Sequence, residues 1–187
     1  IIIQIECNMS KQMNIKKLEN NVIQIDFKIT NNKLNMGQLI DTSIIDIIHS
    51  VQKGEFVEEY KLSPEDETGK QSLQIVFCHL FSDIGIPQFF LNMDVHKNKD
   101  DENMILFACS KNNVVMPMEG VATSRHIKSS PIESIDVKCV FPDMHTCIFT
   151  VFIKHNTPPE LLKFEPMILT MFKKTFKAVK MLIENLP

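Results

Sequence analysis

The stretch Cys147-Ile-Phe-Thr-Val-Phe-Ile-Lys-His-Asn-Thr157, then Pro158-Pro159, then Glu165-Pro-Met-Ile-Leu-Thr-Met-Phe-Lys-Lys-Thr-Phe-Lys-Ala-Val-Lys-Met-Leu-Ile-Glu184, decides how the rest of the chain is read. Its first part alternates in the manner of a strand, and the two prolines end it. Its second part has helical spacing. Pro166 suits a first-turn position, where its missing N–H costs nothing, and Phe164-Glu165 gives an acidic start. Met167, Ile168, Met171, Phe172, Phe176, Val179, Leu182 and Ile183 form one stripe, with Lys173, Lys174, Lys177 and Lys180 on the other side. From Pro166 to Asn185 there is no glycine, and the span makes a helix of about five turns. That is more than a small sheet needs to cover one face, so a second polypeptide is expected to cover the remainder. The lysine face has two readings, a solvated surface or a surface that meets an acidic partner.

Working outward, Asn21 to Thr30 reads as a strand, and Asn31-Asn32 as a turn. Asp41-Thr42-Ser43 offers N-cap side chains to a helix carrying Ile44, Ile45, Ile47, Ile48 and Val51, which Gly54 would stop. A polar loop from Leu62 to Lys70 follows. Ser72 to Phe81 is apolar on both sides, as a central strand would be. Phe89 to Val95 alternates, and a polar turn from Lys97 to Asn103 returns the chain into Met104 to Cys109. Val137 to Phe141, Pro142-Asp143 and Cys147 to Ile153 make a further hairpin. The expected fold is α+β: an antiparallel meander of about five to six strands, an N-terminal helix and a long C-terminal helix. Residues 1–12 are expected to be a leader or disordered arm and 13–187 a single domain.

Two further stretches bring a resemblance. Leu73-Gln-Ile-Val-Phe-Cys-His-Leu-Phe-Ser-Asp83 with Ile86-Pro-Gln-Phe-Phe-Leu-Asn-Met-Asp-Val95 resembles the central hairpin of subunit 2 of the actin-related protein 2/3 complex, which nucleates branched actin filaments. Met104-Ile-Leu-Phe107 resembles its next strand, and Phe149 to Thr157 its strand-to-helix junction, which subunit 4 shares. The resemblance covers roughly Gln38 to Pro187, with Glu119 to Pro131 as an insertion and without the family's basic tail. It implies a non-catalytic scaffold subunit that pairs with a partner helix through Phe172, Phe176, Val179 and Ile183. It also implies contact with actin or an actin-related protein through Lys173, Lys174, Lys177 and Lys180, and a place in the cytoplasm with the cytoskeleton.

Composition and motifs narrow the chemistry. The net charge is −3 and Arg125 is the sole arginine, which disfavours nucleic-acid binding and removes most bidentate phosphate clamps. Five cysteines, an odd number without a CxxC pair, suit a reducing cytoplasm, and no stretch approaches twenty apolar residues. There is no GxGxxG, GxxxxGK[ST] or GxSxG, so enzyme families built on them are disfavoured, and no catalytic residue, cofactor or metal is expected. Ser124-Arg125-His126 reads as a loop, because neighbours in sequence do not converge as a triad must. His145-Thr-Cys147 facing Cys139 is the best metal candidate, against the reading of buried thiols as small hydrophobes. Two alternatives to a scaffold stand. One is a ligand-binding or hydrolytic domain of the helix-grip kind, with an apolar pocket between Phe89, Leu91, Phe149, Val151 and the helix stripe. The other is a structural subunit of another large assembly.

Overall fold

The computed structural model describes residues 13–41, 44, 46–48, 54–79, 82–112 and 127–187. Nine strands form one sheet: β1 (Asn14–Leu18), β2 (Val22–Thr30), β3 (Val57–Leu62), β4 (Lys70–Phe77), β5 (Gln88–Asp101), β6 (Met104–Lys111), β7 (Ile127–Ser129), β8 (Ile132–Asp143) and β9 (Thr146–His155). The helices are α1 (Met36–Leu39), α2 (Pro159–Leu162) and α3 (Glu165–Glu184), with a 3-10 turn at Ser82–Ile84. Ile44 and residues 46–48 are also helical. The rest of the helix expected before Gly54 lies outside the described residues.

The strand order is β1-β2-β9-β8-β6-β5-β4-β3, and β7 pairs in parallel with the first residues of β5. All other pairings are antiparallel. The last strand is therefore inserted between the N-terminal hairpin and the meander, which closes the two ends of the chain into one surface. Nine strands replace the expected five to six because β1, β3 and β7 escape a pattern search. The first two are polar edge strands, Asn-Ile-Lys-Lys-Leu and Val-Glu-Glu-Tyr-Lys-Leu, and the third has only three residues. The turn placed at Lys97 to Asn103 is also shorter than expected, since β5 runs on to Asp101 and pairs it with Met104.

The sheet buries one face by strict alternation. Ile23, Ile25, Phe27 and Ile29 of β2 stand beside Ile153, Val151, Phe149 and Cys147 of β9 in register, and all eight are buried. Cys139 of β8, Ile105 and Phe107 of β6, and Leu91 and Met93 of β5 continue the layer. The Phe27 and Phe149 rings stack at 4.7 Å, and Phe176 of α3 meets Phe27 at 5.3 Å. Such aromatic contacts add to the area they bury.

α3 is fixed onto this layer most firmly at its C-terminal end. Val179 and Ile183 are buried in the core. The buried Asn31 side chain donates to the carbonyls of Ile183 (2.8 Å) and Leu186 (3.0 Å), adding a side-chain cap to the helix end. Lys180 donates to the Lys28 carbonyl and to Glu184, and Glu184 accepts from the Thr30 amide at 3.3 Å. The first half of the helix is held more loosely. Ile168 and Met171 are half-buried, Met167 is exposed, and a Lys17–Glu165 ion pair at 2.6 Å ties the start to β1. Among the described residues no helix is long and apolar enough to cross a membrane.

Candidate functional site

The difference between the two halves of α3 leaves a space beneath its first turns. β9 ends at His155, and Pro158 and Pro159 cannot continue the ladder, so the chain leaves the sheet through the short α2. α3 thus begins away from the sheet and meets it only farther along. An apolar cavity of about 160 Å³ lies there. Its floor is Ile23 and Ile153, one wall is Phe77, Cys78, Ile86 and Phe89, and the roof is Leu161, Phe164, Ile168, Met171 and Phe172. Ser130, Pro131 and Ile132 complete it beside His155 and Thr157.

The cavity has few polar groups, and most are engaged. Ser130 Oγ accepts from the Ile132 amide at 3.3 Å. Glu165 is held by Lys17. His155, 9% exposed, has its Nδ1 at 2.8 Å from the Thr157 hydroxyl. Burial, and then the negative Glu58, push the Cys78 thiol above its ordinary value. The wall is braced by His79, whose Nε2 meets the Ile86 carbonyl at 2.8 Å.

Outside the cavity a larger groove of about 810 Å³ shares Ile86, Pro87, Phe89, Ser130, Pro131, Leu161 and Phe164 with it. This groove is polar at its rim, where Lys111, Lys128 and Lys163 face Glu133 and Glu160. Lys111 donates to the Ser130 carbonyl at 2.6 Å, Lys163 lies 5.0 Å over the Phe164 ring, and Glu133 pairs with Lys154 at 3.1 Å. An apolar chamber that opens into a wet, charged vestibule suits an amphipathic molecule.

Phe172 lines the cavity, Phe176 packs on Phe27, and Val179 and Ile183 are buried in the protein's own core, so all four expected partner-helix residues face this chain's sheet. Lys173, Lys174 and Lys177 are exposed, while Lys180 is tied to β2 and Glu184. Of the pocket residues expected under the helix-grip alternative, Phe89 lines the cavity. Leu91, Phe149 and Val151 are buried in the core instead. Ser124, Arg125 and His126 lie outside the described residues. Cys139 and Cys147 are fully buried, and burial followed by their mutual hydrogen bond pushes the Cys147 thiol far up. The His145 ring meets the Leu34 carbonyl at 2.9 Å, and no three metal-ligating side chains cluster among the described residues. His155 was not among the expected pocket residues, and it lines the cavity. It continues the inward series Cys147, Phe149, Val151, Ile153, so a polar side chain in phase with an apolar stripe was the available signal.

Comparison with solved structures explains the arrangement. A StAR-related lipid transfer protein fragment from Xanthomonas axonopodis superposes with a TM-score of 0.64 at 12% identity, over 91% of this chain and 92% of its own. Human StAR-related lipid transfer protein 5 gives 0.56 at 11% identity, over 97% and 92%. Truncated norcoclaurine synthase from Thalictrum flavum gives 0.50 at 11% identity, over 94% and 98%. This is the helix-grip fold. No family model and no curated protein matches the sequence.

These likenesses correct the resemblance to subunits 2 and 4 of the actin-related protein 2/3 complex, together with the scaffold role and the actin and partner-helix contacts inferred from it. An alternating strand that runs into a long amphipathic helix is common to both kinds of protein. Here most of the α3 stripe is covered within the chain: Val179 and Ile183 are buried in its core, Phe172 and Phe176 pack against that core, and Met167 and Leu182 stay exposed. At these identities the likeness shows the fold alone, and a lipid carrier and a synthase both occur on it.

Proposed function

We propose that this chain binds a small apolar or amphipathic ligand, with the apolar part under the first turns of α3 and any polar remainder in the outer groove. The observation that supports this most is the apolar cavity of about 160 Å³ between α3 and the sheet. An empty cavity of comparable size in a protein core, about 150 Å³, takes up benzene. The chamber therefore suits a single ring or a short alkyl segment, and a longer molecule would extend into the groove. The solved structures named above for lipid transfer add support at the level of fold.

The reading is of binding without turnover. Lys17 neutralises Glu165, Ser130 Oγ accepts a backbone amide, and burial raises the Cys78 thiol, so none of these three is an activated nucleophile.

A panel of six- to ten-carbon alkanes, alcohols and aromatic compounds tests the proposal by thermal shift and by the Met171 methyl resonance. A ligand at a hundred times its Kd stabilises by about 2.7 kcal/mol, which in a domain of this size raises Tm by roughly 5–10 °C. Met171→Trp should fill the chamber and abolish the effect. A panel that leaves both Tm and the Met171 resonance unmoved refutes the proposal.

A further inference from the structure

Among the polar side chains that line the cavity, His155 offers a ring nitrogen that the described residues leave without a partner. His155 reaches it from the last residue of β9, and its Nδ1 is occupied by Thr157. Nε2, at the far edge of the ring from the backbone, has no protein partner among the described residues. His155 lines the inner cavity and is absent from the outer groove. A lone ring nitrogen within an apolar chamber costs free energy unless something answers it.

We propose that His155 is the specificity determinant of this cavity and that it selects a neutral ligand hydroxyl, carried directly on the apolar ring or chain that fills the chamber. This rests on the binding function proposed above. The choice of hydroxyl follows from the two states of the neutral imidazole. If Thr157 donates to Nδ1, the ring proton is on Nε2, which then donates. If Nδ1 donates to Thr157, Nε2 accepts. A hydroxyl can answer either arrangement, whereas a ketone or ether can answer only the first. The choice of a neutral group follows from charge. Among the described residues the chamber wall carries one charged side chain, Glu165, already paired with Lys17, so a carboxylate ligand would be desolvated there with no cation to answer it. Thr157 acts as a positioning residue that holds the ring.

Three ligands with one ring and different heads test this: benzene, phenol and benzoate, titrated at pH 7.5 against the wild type, His155→Leu and Thr157→Val. The expected result is that His155→Leu weakens phenol about five-fold while benzene affinity is kept, the size of one hydrogen bond. Thr157→Val should lower phenol affinity in the same direction, and it serves if the histidine variant does not fold. Benzoate should bind most weakly. Phenol and benzene affinities that change together, or not at all, in these variants overturn the assignment to His155. Benzoate binding as tightly as phenol overturns the neutral hydroxyl. If benzene itself does not bind the wild type, the ligand-binding reading fails first, so the two failures are told apart.

Discussion

Replacing Ile183 by alanine tests the claim that α3 is covered by its own sheet. Ile183 is completely buried in the last turn of the helix, between β2 and the Asn31 side chain that holds its carbonyl. The substitution removes three carbons, worth about 2.4 kcal/mol at about 0.8 kcal/mol each. The void adds roughly 24 cal/mol for each Å³ that does not close, so a total loss of about 3–4 kcal/mol is expected. For a domain of this length each kcal/mol lowers Tm by about 2–4 °C, which predicts a fall of roughly 6–16 °C. Met181, 53% exposed on the same helix, is the control, and Met181→Ala should change stability by less than about 0.5 kcal/mol. Guanidinium titration measures the loss, and sedimentation at several concentrations shows whether association contributes. A loss below 1 kcal/mol, or one that depends on protein concentration, would refute intramolecular burial of this stripe.

Two other expectations concern titrating groups. Burial, then Asp136, push the Cys109 thiol up to about 12, and Cys147 is raised further by burial and by Cys139. At pH 8 iodoacetamide should leave Cys109, Cys139 and Cys147 unmodified in the native protein and label the half-buried Cys78 slowly, with a bound cavity ligand suppressing that label. Peptide mass spectrometry reads all four sites, and rapid labelling of Cys147 before unfolding would contradict the packing. Burial alone would raise the Asp94 carboxyl, but Lys70 at 2.7 Å, Asn112 and Ser72 outweigh it and hold it below the usual carboxylate range. A depressed value stabilises the fold above the unfolded pKa of about 3.9, and this contribution is lost as pH falls through the lower folded value. Asp94→Asn should therefore lower Tm at pH 7 and flatten its dependence below about pH 4; an unchanged acid slope would exclude Asp94 as a contributor.

What the sequence revealed, and what it concealed, follows from the physics of each element. β2, β5, β6, β8 and β9 were legible because the alternation is written into residues such as Ile23, Ile25, Phe27 and Ile29, and β4 because its run is apolar on both sides, although it ends at Phe77, short of the expected Phe81. α3 was legible within a residue or so at each end. β1 and β3 were not, since an edge strand buries little and Lys16, Lys17, Glu58 and Glu59 carry no period. The site was harder still. Helical spacing shows that a stripe will be buried but not by what, and the width of the sheet decides that. Three missed strands made the sheet look too narrow for its helix. The surplus of apolar surface then pointed to a second polypeptide, when Phe176, Val179 and Ile183 were closing the core and Ile168, Met171 and Phe172 were roofing a chamber.

The two outermost strands have a consequence for how the molecule behaves in a crowd. Among the described residues no further strand pairs with either, which leaves a row of backbone amides and carbonyls at each margin, the geometry that recruits foreign chains into growing aggregates. Here one margin is short and studded with lysine, while the other bears paired glutamates and a kink between Val57 and Glu59. Stray peptides approaching either rim meet hydrated charge and a broken register before they can zip on. A broad sheet with so oily an interior can in this way remain dispersed.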